Sequence, residues 1–112
     1  LKNKEAFQAF TDFIKQFPNS ALLADAKYGL ANAQFNLKNY KASIGTYQKL
    51  LDQHPEFAKN PEALLGLANA QIQLSLIPEA KKSLKDLIKK YPQSDLIKNA
   101  QKRLKVLDSI KP

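Results

Sequence analysis

The chain has 112 residues, of which 44% are hydrophobic and 25% charged, and its formal net charge is +8. This size and balance are typical of a single globular domain with its own core. Because the chain has no cysteine, disulfides and thiolate metal sites are excluded, while either redox compartment stays open. No apolar run approaches the roughly 20 residues that a membrane-spanning helix needs, so membrane insertion is not expected.

The start of the chain has no leader pattern, in which positive charge precedes an apolar stretch. It lacks an initiator methionine and begins inside a helical pattern. We therefore expect a piece of a longer protein, and the missing leader says nothing about the compartment.

An internal repeat organises the chain. The hexapeptide Gly-Leu-Ala-Asn-Ala-Gln at 29–34 recurs at 66–71, a step of 37 residues. Three dipeptides that end in proline keep the same step: 17–18, 54–55 and 91–92. A period in the thirties is typical of repeats that each form one helical hairpin.

Apolar residues recur three and four positions apart, as they do on one face of a helix. In the first segment they are Ala6, Phe7, Phe10, Phe13 and Ile14. Strand-type alternation is absent. In chain order the pattern predicts six helices, over 2–17, 21–37, 40–53, 61–75, 78–90 and 94–110.

Polar residues that precede three of these helices are predicted N-caps: Ser20, Asn60 and Ser94. Pro61 and Pro78 are predicted to lie in the first turn of their helices, where a missing N–H costs nothing. No linker-type segment divides the chain, which favours a single domain over 1–112. Its predicted parts are the second helix of a truncated repeat (1–20), two full repeats (21–57 and 58–94) and a C-terminal capping helix (95–112).

The repeat resembles the tetratricopeptide repeat, and the matching positions extend over both full units. In the first unit they are Leu30, Ala31, Ser43, Tyr47 and Pro55, and in the second Leu67, Ala68, Ala80, Leu84 and Pro92. The resemblance implies an all-α, helical-hairpin solenoid. In such a solenoid the truncated first repeat leaves an apolar face partly uncovered, so oligomerisation through a missing N-terminal segment is possible.

Further motifs are similar to the C-terminal domain of the periplasmic Tol-Pal system family of cell division coordinators. They are Ala26-x-Tyr28-x-Leu30, Tyr91-Pro92-x-Ser94 and the run 100–104. This resemblance implies a non-enzymatic periplasmic adaptor that coordinates peptidoglycan synthesis with outer-membrane constriction. The partner proteins that it implies are the inner-membrane-anchored component of the Tol system and a bifunctional peptidoglycan synthase. An outer-membrane assembly lipoprotein with repeats of similar length is an alternative.

Positive charge is concentrated after residue 77, where ten Lys or Arg face four acids. A basic helical-repeat module that binds nucleic acid is therefore a second alternative. However, seventeen of the eighteen basic residues are Lys, which suits bidentate phosphate recognition poorly, and no aromatic residues alternate with them. For this basic region the sequence favours a solvent-exposed surface without a ligand. A surface that binds an acidic protein or a cell-wall polymer is the next choice, and one that binds nucleic acid is the last.

Residues for catalysis, cofactor binding or metal binding are not found. The single histidine, His54, occupies the slot before proline that Phe17 and Tyr91 also occupy, so a packing role is favoured. All three glycines lie within helical patterns, so no phosphate-binding loop is expected. We predict neither an enzyme nor a cofactor.

The first helix of each tetratricopeptide pair lines a concave groove, and the repeat positions predict which residues face it. They are Tyr28, Asn32, Phe35, Asn36, Leu65, Asn69, Ile72, Gln73 and Lys102. Asn32 and Asn69 stand out because an amide both donates to and accepts from a peptide backbone. In the opposing interpretation the repeated hexapeptide serves helix packing alone. A carboxylate clamp is not predicted, since Tyr28 stands where such a clamp has Lys.

Overall fold

The computed structural model describes residues 2–110, and all of its regular structure in that range is helical. The six helices are α1 (Lys2–Gln16), α2 (Leu23–Asn36), α3 (Tyr40–Gln53), α4 (Asn60–Gln73), α5 (Ile77–Lys90) and α6 (Ile97–Asp108). The predicted all-α class of helical hairpins is confirmed. The largest error in a boundary is at the start of α6, which was predicted at 94.

Two compact units divide the chain, one ending at Phe57 and the other beginning at Ala58. The first contains α1, α2 and α3, and the second contains α4, α5 and α6. The assignment of 1–112 to one domain stays a prediction. Its end residues 1, 111 and 112 lie outside the described residues.

In the first unit α2 packs against both α1 and α3. Small side chains on α2 allow this close approach: Ala31 is fully buried, and the Ser43 hydroxyl on α3 donates to its carbonyl oxygen at 2.8 Å. Gly29 allows close approach on the other side, because a Cβ there would overlap the outer atoms of the Phe10 ring on α1 unless that ring shifted. The hexapeptide thus holds α2 between two neighbours.

In the second unit α5 packs against both α4 and α6. Ala68 on α4 and Ala80 on α5 are completely buried, as are Leu84 and Leu87. Ser43 and Ala80 occupy the same position in the two full repeats, and both side chains have no exposed surface.

One hydrogen bond across the hairpin repeats with the 37-residue step. The Thr46 hydroxyl donates to Oε1 of Gln34 at 2.6 Å, and the Ser83 hydroxyl donates to Oε1 of Gln71 at 2.7 Å. The glutamine of the hexapeptide is therefore a structural residue that joins the two helices of each hairpin.

The turn inside each hairpin also repeats. Lys38 and Ser75 have positive φ angles of 63° and 59°. The next amide, that of Asn39 or Leu76, donates to the carbonyl oxygen of Gln34 or Gln71 at 2.9 and 2.8 Å. This is a Schellman motif with a side chain at the position that usually holds glycine.

The predicted N-caps are wrong. The capping positions are Leu22, Lys59 and Leu96, and none makes a side-chain capping bond. Ser20 and Ser94 instead accept the amide of the residue two positions later, at 3.0 and 3.1 Å. These bonds close a short turn before the helix begins, and Asn60 is itself the first, buried residue of α4. The prolines were placed correctly, in the first turns of α4 and α5.

Candidate functional site

None of the nine predicted groove residues is buried, so all of them keep some solvent exposure. Those on α2 are Tyr28, Asn32, Phe35 and Asn36, those on α4 are Leu65, Asn69, Ile72 and Gln73, and Lys102 lies on α6. Each unit therefore carries its own subset, and the two subsets have different surroundings.

In the first unit the predicted residues contact neighbouring side chains. The hydroxyl of Tyr47 on α3 donates to Oδ1 of Asn32. Only 2% of Tyr47 is exposed, and this burial, together with the nearby Tyr28, raises the pKa of its phenol. The oxygen of Asn32 is thus occupied within the hairpin, which leaves the amide donors for any ligand.

The aromatic residues of this subset are also paired. The ring of Tyr28 lies 5.9 Å from that of Phe57, and the ring of Phe35 lies 5.1 Å from that of Tyr40 in an edge-on arrangement. Such geometries stabilise aromatic pairs. These rings form part of the packing of the first unit as well as its surface.

In the second unit a groove of about 690 Å³ runs along α6 and reaches Ile72 on α4. Lys102 and Val106 line it on the α6 side. Ile72 and Lys102 were both predicted groove residues, so the structure brings two of them together. Val106 is an exposed apolar side chain with 59% of its surface accessible.

Arg103 connects Asn69 to this groove. Its Nη1 donates to Oδ1 of Asn69 at 2.8 Å, and its Nε donates to Oδ1 of Asn99, one turn earlier on α6, at 2.9 Å. The guanidinium is therefore held between two neutral amides. Asn69 does not stand alone as a clamp for a peptide, because its oxygen already accepts from this arginine.

Sequence reasoning missed Arg103 and Asn99 as site residues. Two signals were available: Arg103 is the sole arginine of the chain, and Asn99 precedes it by four residues on one helical face. The bond to Asn69 spans 34 residues and depends on the packing within the second unit.

His54 lies at the C-terminal end of α3. The ammonium of Lys27 on α2 lies 3.2 Å from its Nε2 and donates to Oε1 of Gln53 at 2.6 Å. Burial, together with the charge of Lys27, lowers the pKa of His54. The imidazole is part of the contact between α2 and α3.

Neither a metal cluster nor a membrane span is found within residues 2–110. Across this range no three or more His, Cys, Asp or Glu side chains come together as a metal site would require. Among the same residues, no helix is both long and apolar enough to cross a membrane.

Comparison with known protein families gives two matches, both to models described as tetratricopeptide repeat. One covers residues 46–104, and the other covers residues 1–20 and 25–56. No curated protein matches the chain.

Proposed function

The chain belongs to the tetratricopeptide repeat family, whose hairpins typically serve as non-catalytic protein-interaction modules, and on this basis we propose that it binds a partner protein in the groove along α6. One observation carries the choice of site. The groove combines apolar surface from Ile72 and Val106 with positive charge from Lys102 and Arg103. A few apolar anchors surrounded by polar groups are typical of protein-binding sites.

We further propose that the protein is a periplasmic adaptor of the Tol-Pal type. In this role it coordinates peptidoglycan synthesis with constriction of the outer membrane during cell division. Its partners are then the inner-membrane-anchored component of the Tol system and a peptidoglycan synthase. Support for this finer assignment comes from the sequence motifs at 26–30, 91–94 and 100–104.

Titration calorimetry with the purified periplasmic parts of these two partners tests both proposals. The informative variant is Val106→Ser, which removes an apolar anchor from the groove. Leu22→Ser is its matched control, because Leu22 is equally exposed, at 58% against 59%, and belongs to the first unit. Losing a valine that the bound partner would cover should weaken binding roughly tenfold or more, whereas the control should bind as the unchanged protein does.

Three results would contradict the proposals. If neither protein binds, the Tol-Pal assignment is wrong. If one binds with unchanged affinity to the Val106→Ser variant, the groove is not its site. If single-stranded RNA binds instead, with an affinity that falls steeply as salt rises, the basic nucleic-acid module is the better description.

A further inference from the structure

Arg103 combines two properties that a free surface arginine lacks. Its side chain is fixed in place by Asn69 and Asn99 through Nη1 and Nε. Both acceptors are neutral amide oxygens, so they orient the guanidinium without cancelling its charge. A guanidinium has five N–H donors, and two are used, which leaves the donors on Nη2 and one on Nη1.

Neither ion pair that the structure describes in the second unit includes this charge. Asp108 on α6 pairs with Lys81 at 3.2 Å, and Asp86 pairs with Lys82 at 3.0 Å. In the part of the chain that the structure describes, no carboxylate lies within ion-pair distance of Arg103. The same groove also presents Lys98 and Lys102, and none of the described residues that line it is acidic.

We propose that Arg103 is a carboxylate-binding residue and that the groove along α6 takes an acidic peptide segment with an apolar side chain. The planar guanidinium forms paired hydrogen bonds with a carboxylate, which an ammonium cannot do. The apolar side chain of the ligand packs on Ile72 and Val106, and Lys98 and Lys102 attract the flanking acids. This assignment of ligand chemistry rests on the proposed function of the groove.

Asn69 has a different role from the one that the sequence predicted. It is a positioning residue that holds Arg103, and it acts on the ligand through that arginine. Asn99 has the same role from within α6. The two amides fix the guanidinium before a ligand arrives, so less side-chain entropy is lost on binding.

Selection from a display library of random twelve-residue peptides tests the proposal with the whole 112-residue chain as bait. The peptides, about twelve residues long so that they can span a groove of this kind, are fused through their C-termini, and any carboxylate they offer is then a side chain. We expect the enriched peptides to carry Glu or Asp next to Leu, Ile or Phe. Enrichment of neutral or basic peptides would overturn the acidic assignment and leave the groove function standing, whereas no enrichment at all would contradict both.

Affinities of the most enriched peptide, synthesised with acetyl and amide ends, then test the residues. Arg103→Gln should weaken binding roughly 10- to 100-fold, as expected for a lost charge-assisted hydrogen bond. Each acid of the peptide is replaced in turn with its amide; at the acid that pairs with Arg103 this should cause a similar loss, and that loss and the loss from Arg103→Gln should not add. Lys85→Gln is the matched control, since it removes the same charge from an exposed site on α5, and it should change the affinity less than about twofold. Equal effects of the two variants would refute a specific role for Arg103.

The positioning role of Asn69 has its own test. Asn69→Ala should weaken binding because the guanidinium is released. Asn69→Asp keeps an acceptor for Arg103, but the new carboxylate neutralises the charge of the guanidinium. Binding of the peptide should therefore be as weak as in Asn69→Ala, while thermal stability should be equal to or above that of the unchanged protein. If Asn69→Asp restores binding, Asn69 has only a structural role and the proposal for it is wrong.

Discussion

The buried hydroxyl of Tyr47 donates its hydrogen bond to Asn32, and this bond joins α3 to α2 in the first unit. At the same register in the second unit, Leu84 replaces the tyrosine, and Asn69 accepts from Arg103. Two asparagines from identical hexapeptides therefore have different partners. Substitution of each asparagine with alanine should therefore change the free energy of unfolding by a different amount.

Asn32→Ala should lower the free energy of unfolding by about 1 to 3 kcal/mol, since it leaves a buried hydroxyl without its acceptor. Asn69→Ala should cost less than about 1 kcal/mol, because its partner Arg103 is exposed to water. Urea denaturation of both variants measures the difference. In a Tyr47→Phe background, most of the cost of Asn32→Ala should vanish, and a cost that persists would show that the bond does not matter.

Replacing two helical glycines with alanine should change the stability of the protein in opposite directions. Gly29→Ala places a methyl group against the ring of Phe10, and this overpacking costs about 1 to 3 kcal/mol. Gly45 has nothing within 4 Å of the added carbon, so Gly45→Ala should stabilise α3 by about 0.5 to 1 kcal/mol. Thermal unfolding distinguishes the two.

Phe10→Ala provides the control for this pair. In that background the steric conflict is gone, and Gly29→Ala should become stabilising, as Gly45→Ala is. A Gly29→Ala variant that remains destabilising without the ring would place the conflict elsewhere than between α1 and α2.

The repeated turn offers a stabilising change. Ser75 has a φ of 59°, a region that costs a residue with a side chain roughly 1 to 2 kcal/mol. Ser75→Gly should therefore raise the free energy of unfolding by about 0.5 to 1 kcal/mol, the gain being reduced by the greater freedom of glycine in the unfolded chain. Lys38→Gly should behave alike. Ser109→Gly, at a residue with φ of −81°, is the comparison, and a gain there would indicate a cause other than the left-handed backbone.

The repeat was readable from the sequence because both hairpins have the same internal chemistry. The bounds of α2 and α3 recur in α4 and α5 with the 37-residue step intact. The caps were misjudged because serine can also accept from the amide two residues ahead, and only the backbone geometry decides between these bonds. The bond from Arg103 to Asn69 could not be predicted from the sequence, since no local pattern shows how α4 and α6 lie within the second unit.

Stability should fall on acidification through the titration of His54. Burial and the charge of Lys27 lower its pKa in the folded protein, while the unfolded chain titrates near the ordinary value of about 6.5. As the pH falls through that value, the unfolded chain takes up a proton before the folded protein does, so the free energy of unfolding decreases. Above about pH 7.5 both states hold a neutral imidazole, and this contribution no longer changes with pH.

Urea denaturation between about pH 5 and pH 8 measures this slope. The matched control is His54→Tyr, which places at this site the residue that the next repeat has at Tyr91. Carboxylates titrate in both proteins, so the difference between the two curves isolates the imidazole. The free energy of the unchanged protein should fall relative to the control as the pH drops below about 6.5. Lys27→Met should reduce that fall because one of its two causes is gone. A fall as large as that of the unchanged protein would show that Lys27 has no effect on the titration of His54.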